Sequence, residues 1–265
     1  RSAGVVVPLL GNENSAEMLA EMASAINPRD SVQVVNITEV PNQTFLDALS
    51  QDTPKVVSIA RRLKKLSSSQ NLNIDFESVV THEVSNTVAQ LSGQTNCDWL
   101  VMGWNGKAHS GLLIRNPIGW LLTHVNSNFA LFKDSGIKNI SRVLIALRPG
   151  RKDKNFLAVA ERVCVFYGAS LTLLHIVTPS FSKKAATNME SKSVQLLSGL
   201  KIKSDLKIVK SENPLNSISS ISSDYDLLIL GAPEKDSWIS VLFGAGRDKF
   251  TENSACSVLR LTMKN

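Results

Sequence analysis

The stretch Cys97-Asp98-Trp99-Leu100-Val101-Met102-Gly103 decides the fold, because it returns as Tyr225-Asp226-Leu227-Leu228-Ile229-Leu230-Gly231. Each copy holds an aspartate, an unbroken apolar run and a glycine. A strand buried on both faces has no reason to alternate, so such a run suits the interior of a parallel sheet. The beginnings of the two halves repeat as well, Val5-Val6-Val7-Pro8-Leu9 matching Val143-Leu144-Ile145-Ala146-Leu147. Both lead into amphipathic stretches, carried by Met18, Leu19, Met22 and Ile26 in the first half and by 156–166 in the second. A repeat of this kind marks a duplicated structural unit.

Outward from these runs, strands are expected near 4–10, 32–38, 73–81, 98–104 and 129–133. They recur near 142–148, 170–177, 205–210, 226–231 and 257–262, with helical patterns between them. Strand–helix alternation implies right-handed crossovers, which lay helices on both faces of a parallel sheet. The sequence therefore predicts an α/β protein of two tandem doubly wound, Rossmann-like parallel-sheet units, residues 1–135 and 136–265. The polar stretch 134–141 is the seam. The second unit is the shorter, the loss falling in 182–200 against 44–66.

Composition narrows the function. The chain has 265 residues, 43% of them apolar, with a mean hydropathy of +0.01, which suits a globular protein with a substantial core. The net charge is +6, but the basic residues are scattered. Their densest run, Arg61-Arg62-Leu63-Lys64-Lys65, reads as the solvated face of a helix. Its functional alternative is attraction to anionic lipid headgroups or nucleic acid. Aromatic residues make up 6% and do not interleave with basic positions, which argues against a nucleic-acid stacking platform. Three cysteines (Cys97, Cys164 and Cys256) in apolar contexts, with no Cys-x-x-Cys, imply a reduced, intracellular setting. No apolar run reaches the roughly 18–20 residues that cross a bilayer. His82, His109, His124 and His175 stand at no metal-ligand spacing, and no Gly-x-Ser-x-Gly elbow occurs. Gly103-x-x-Gly106-Lys107 lacks the spacing of a Walker loop. The expectation is no metal site, no catalytic residue and no enzyme, with His175 a core or strand-end residue.

Ligands of an open parallel sheet sit beyond the carboxyl ends of its strands, where strand order reverses. The loops after the first and fourth strands are therefore the informative ones. In the second half the fourth strand is followed by Gly231-Ala232-Pro233-Glu234, nine residues and Gly244-Ala245. In the first half it is followed by Gly103-Trp104-Asn105-Gly106, nine residues and Asn116-Pro117. This arrangement resembles the universal stress protein family, whose nucleotide-binding members carry Gly, two residues, Gly, nine residues, Gly and then Ser or Thr. The tail from Val241-Leu242-Phe243-Gly244-Ala245 to Ala255-Cys256-Ser257-Val258-Leu259 is similar to the family's last helix and strand. Leu173-Leu174-His175-Ile176-Val177 is similar to its second strand. The resemblance covers both halves.

The departures are physical. Glycines let backbone N–H groups approach a phosphate, and the following helix N-terminus adds positive potential. Glu234 places a carboxylate where the second glycine belongs, and Ala245 lacks the hydroxyl. In the first half Asn116-Pro117 replaces Gly-Ser, and Trp104 sits inside the loop. Leu10 and Arg148 stand where ATP-binding members place an adenosine-holding Asp. The resemblance thus implies eroded nucleotide loops at Gly103, Gly106, Asn116, Gly231, Glu234, Gly244 and Ala245, and no cofactor. Trp99 belongs to a buried strand. Trp104, Trp120 and Trp238 either plug a vacated pocket or anchor a protein partner.

Tandem units with eroded loops resemble the C-terminal cytoplasmic domain of transporters in the amino acid–polyamine–cation superfamily, namely prokaryotic cation–chloride cotransporters and amino acid permeases. Met102-Gly103-Trp104 and Ile118-Gly119-Trp120 carry this likeness. It implies a non-catalytic regulatory or assembly domain at the cytoplasmic face of the cell membrane. The partners implied are a second copy, the membrane domain of the same transporter and a weak inner-leaflet lipid contact, with no nucleic acid. A chain starting at Arg1 without a span fits a soluble piece of such a protein. The alternative is a soluble tandem universal stress protein that binds ATP or AMP through its second unit.

Overall fold

The computed structural model describes residues 4–11, 13–46, 53–104, 117–148, 153–231 and 248–264. The apolar runs form strands within two residues of the expected limits: β1 (Val5–Leu9), β2 (Val32–Glu39), β3 (Ile74–Thr81), β4 (Trp99–Gly103) and β5 (Asn128–Lys133) in the first half. The second half has β6 (Arg142–Ala146), β7 (Ser170–Val177), β8 (Ser204–Lys210), β9 (Leu227–Gly231) and β10 (Ser257–Thr262). Between them run α1 (Ala16–Ile26), α2 (Pro54–Gln70), α3 (Val84–Thr95), α4 (Pro117–His124), α5 (Asp153–Tyr167), α6 (Lys183–Ser198), α7 (Pro214–Ser222) and α8 (Lys249–Asn253).

Local chemistry starts and stops the helices. The Ser15 hydroxyl accepts from Met18 N at 3.1 Å, and Ser182 does the same for Ala185 N at 3.2 Å. These side chains satisfy amide donors that have no partner in the first turn. Thr53 caps α2 ahead of Pro54, and Asn213 caps α7 ahead of Pro214, so a missing N–H costs nothing there. Asn71 and Asn96 end α2 and α3 in the left-handed conformation that asparagine tolerates. The size difference between halves lies ahead of α2 and α6, which are 17 and 16 residues long. Residues 40–53 join β2 to α2, whereas 178–182 join β7 to α6.

The strands form one ten-stranded sheet in the order β3-β2-β1-β4-β5-β10-β9-β6-β7-β8. Every neighbouring pair is parallel except β5 and β10, which are antiparallel. The order reads the same from either edge, so a pseudo-twofold passes between β5 and β10. The fifth strands of the two halves therefore meet on this axis. Leu131 faces Arg260 on that axis. Leu131 also pairs with Met102, and Arg260 with Leu230, so the two are equivalent positions of the repeat. Because the halves run antiparallel, their carboxyl strand ends open at opposite ends of the sheet along the strand direction.

The two faces are packed differently. Residues of α1, α2, α5 and α6 share one apolar core that continues under both halves, with α1 against α5. On the other face α3 and α4 cover one cluster, while α7 and α8 cover a second. Polar contacts also cross between halves. Arg162 Nε donates to Ile26 O at 2.6 Å. Lys133 Nζ donates to Thr251 O (2.8 Å), Ser254 O (3.1 Å) and Glu252 O (3.3 Å).

Candidate functional site

In the first half strand order reverses between β1 and β4, so a ligand would enter between Leu10-Gly11 and Gly103-Trp104. The Glu13 side chain already lies there. Its carboxylate accepts from Leu10 N at 2.5 Å and from Gly11 N at 2.9 Å. A Cβ placed on Gly103 would come within 3.1 Å of Glu13 Cγ. Gly103 therefore provides room for the Glu13 side chain. Gly11 has φ +91°, a left-handed conformation that suits glycine. Beside this plug is a small cleft of about 180 Å³ lined by Leu9, Gly11, Asn36, Lys55, Ile59 and Arg62, among others.

The second half closes its reversal point, between β6 and β9, by different means. A Cβ on Gly231 would lie 3.4 Å from the tip of the Phe156 ring, which projects from the first turn of α5. The Gly231 carbonyl accepts from Arg260 Nη1 at 2.7 Å. Arg260 also meets the Asp248 carboxylate, Nε to Oδ2 at 3.1 Å and Nη2 to Oδ1 at 3.2 Å. Burial lowers the guanidinium's proton affinity, and Asp248 counters that effect. Asp248 in turn caps α8, accepting from Phe250 N and from the Thr251 hydroxyl. One buried guanidinium thus holds both Gly231 and the start of α8, the two ends of the segment 232–247.

His175 is buried at the end of β7, with Nδ1 2.7 Å from Leu147 O and Nε2 2.8 Å from Ser193 Oγ. A carbonyl only accepts, so Nδ1 carries a proton, and Nε2 faces the Ser193 hydroxyl. Asn36 holds the same place beside Leu9 in the first half, where the smaller side chain borders the cleft. Among the described residues no group of three or more His, Cys, Asp or Glu gathers as metal ligands. Burial pushes the Cys164 thiol up to about 12 and the Cys256 thiol up to about 11, which keeps both protonated at neutral pH.

Of the residues singled out in sequence, Gly103 and Gly231 end strands that run in opposite directions, at opposite ends of the sheet, so they build no common site. Gly106, Asn116, Glu234, Gly244, Ala245 and Trp238 lie outside the described residues. Trp104, considered as an interface anchor, is 7% exposed and packs in the cluster with Ile118, Leu121 and Leu131. Its indole belongs to the core and not to the surface. Trp120 is half-buried and stacks on His124 with ring centroids 4.1 Å apart. Sequence reading missed Glu13, Arg260 and Lys133. The available signal was a lone cation inside the apolar strand 257–262; nothing in the sequence marks Glu13.

No family model matches this sequence, and no curated protein does. Among solved structures, a universal stress protein from Archaeoglobus fulgidus is similar at 15% identity and a TM-score of 0.65, over 98% of this chain and 96% of that one. The cytoplasmic domain of a prokaryotic cation chloride cotransporter is similar at 14% identity and a TM-score of 0.62, over 99% of this chain and 96% of that one. With its two sets of parallel strands joined through β5 and β10, the chain has the universal stress protein fold in tandem, as does the domain of that cotransporter.

Proposed function

We propose that the chain is a non-catalytic regulatory or assembly domain of a secondary membrane transporter of the cation–chloride cotransporter or amino acid permease type, working at the cytoplasmic face. The observation that carries this reading is the Glu13 plug. A phosphate needs free N–H donors, and Glu13 occupies two of them while adding a negative charge of its own. Phe156 closes the equivalent place in the second half. The end-to-end likeness to a cotransporter's cytoplasmic domain supports the same reading. A domain without chemistry acts by holding protomers in a defined relation, and an isologous dimer is the commonest way to do so. With β5 and β10 paired inside the chain, a second copy would have to use helices or loops, Trp120 among them.

Isothermal titration with ATP and AMP tests the plug. Dissociation constants weaker than about 1 mM are expected, and values near or below about 10 μM, roughly 7 kcal/mol, would favour the soluble nucleotide-binding alternative. Glu13→Ala should raise affinity above that of the unmodified chain if the carboxylate is what excludes phosphate. An antibody against the chain should find the native protein in the membrane fraction of its source cells. Recovery only from the soluble fraction would overturn the transporter reading.

A further inference from the structure

We propose that α2, together with Phe45 and Leu46 ahead of it, is a docking surface for an anionic lipid bilayer. The helix contains Lys55, Arg61, Arg62, Lys64 and Lys65 and no acidic residue. Val56, Ile59 and Leu63 face the core. At about 100° per residue the opposite side presents Val57, Arg61, Lys64, Lys65 and Ser68, and all five are exposed. The acids of α1 answer only the flank of this helix. Glu17 meets Arg62 at 3.3 Å, and Glu21 accepts from Gln70 at 2.9 Å. Among the described residues no ion pair reaches Arg61, Lys64 or Lys65. Among the described residues, the outward stripe is therefore a row of cations without an ion-pair partner.

Apolar side chains lie ahead of this row and in its first turn. Phe45 is 83% exposed, Val57 43% and Leu46 37%, an expense to the folded chain unless something covers them. A bilayer surface satisfies both features at once. Headgroup phosphates attract the cations, and the boundary between headgroups and acyl chains takes the phenyl ring and the valine. A nucleic-acid backbone would meet the cations but leave Phe45, Leu46 and Val57 in water. The inference does not depend on the transporter reading, since a free-standing protein with this surface would bind vesicles equally.

The test is co-sedimentation of the full chain with vesicles of phosphatidylcholine alone or mixed with phosphatidylglycerol, at low and high salt. Binding is expected only to the mixed vesicles, and it should weaken as salt rises. Each cation near an anionic leaflet contributes a factor of about five, so Arg61→Ser, Lys64→Ser and Lys65→Ser together should lower partitioning on the order of a hundredfold. Phe45→Ser should lower it about tenfold at either salt concentration, since the loss is apolar. All these positions are exposed, and circular dichroism should show unchanged folds. Equal binding to both vesicle types, no vesicle binding, or variants that bind like the parent would overturn the proposal. So would binding to duplex DNA, but not to vesicles, that is lost in the triple variant.

Discussion

At position 260 a duplicated chain has broken its own symmetry. Leu131 faces Arg260 across the pseudo-twofold, so one site of the repeat is apolar and its equivalent is a cation 6% exposed. The cation is tolerated because Asp248 and the Gly231 carbonyl answer its donors. Arg260→Leu should destabilise the fold by about 3–5 kcal/mol, because Asp248 is then left buried and unpaired. Chemical denaturation measures this, and a loss below about 1 kcal/mol would contradict the role given to the pair. Asp226 is a second residue whose surroundings set its behaviour. Burial pushes its carboxyl up, but Ser141 N, Arg142 N, the Ser141 hydroxyl and the Arg142 guanidinium outweigh this and hold it below the usual value. A carboxyl depressed in the folded state stabilises above its unfolded value of about 4 and loses that stability as pH falls through the folded value. Asp226→Asn should therefore be less stable at neutral pH, and its urea midpoint should fall less steeply than the parent's below about pH 4. Parallel curves for the two proteins would remove Asp226 from the acid response.

Among the elements, α8 most needs outside support. Five residues are far below the length at which a helix persists alone in water. Asp248 caps its start, and Lys133 reaches from β5 to three carbonyls at its end. Burial lowers the proton affinity of this amine, with Cys256 and Glu252 acting in the opposite sense. Lys133→Met keeps the stem and removes the donors. It should cost about 2 kcal/mol and speed amide exchange in 249–254 more than in β1 or β6. Uniform acceleration throughout would mean that Lys133 supports the whole fold and not this helix. Strands were the most legible elements, because two buried faces require continuous apolar runs such as Val5-Val6-Val7 and Leu227-Leu228-Ile229-Leu230. The extent of α8 was not legible, since it depends on a lysine more than a hundred residues earlier in the chain.

Over the whole molecule, the halves are joined by β5 with β10 and by the α1–α5 core. Separating them at 135/136 would expose both surfaces. The fragment 1–135 should then pair with a second copy through β5, since Leu131 would face Leu131 and apolar residues surround it. The fragment 136–265 should resist the same arrangement, because Arg260 would face Arg260 in a buried ladder. Light scattering of the two fragments tests this. A tight dimer of 136–265, or a monomeric 1–135, would show that residue 260 does not set the pairing. Mixing the fragments should restore a one-to-one complex.

The sequence by itself determined the repeat, the strand positions and the α/β class, because these follow from local periodicity and from what a doubly buried strand can contain. It also indicated that the nucleotide loops depart from their pattern, at positions such as Trp104 and Glu234. Only the tertiary structure decided what occupies the two reversal points. Glu13, Phe156 and Arg260 reach Gly103 and Gly231 from distant parts of the chain. Such contacts depend on which strands become neighbours, and no local pattern records that. The inward place of Trp104 follows from the same cause. A residue's neighbours are set by the order of strands in the sheet, and that order exists only once the chain has folded.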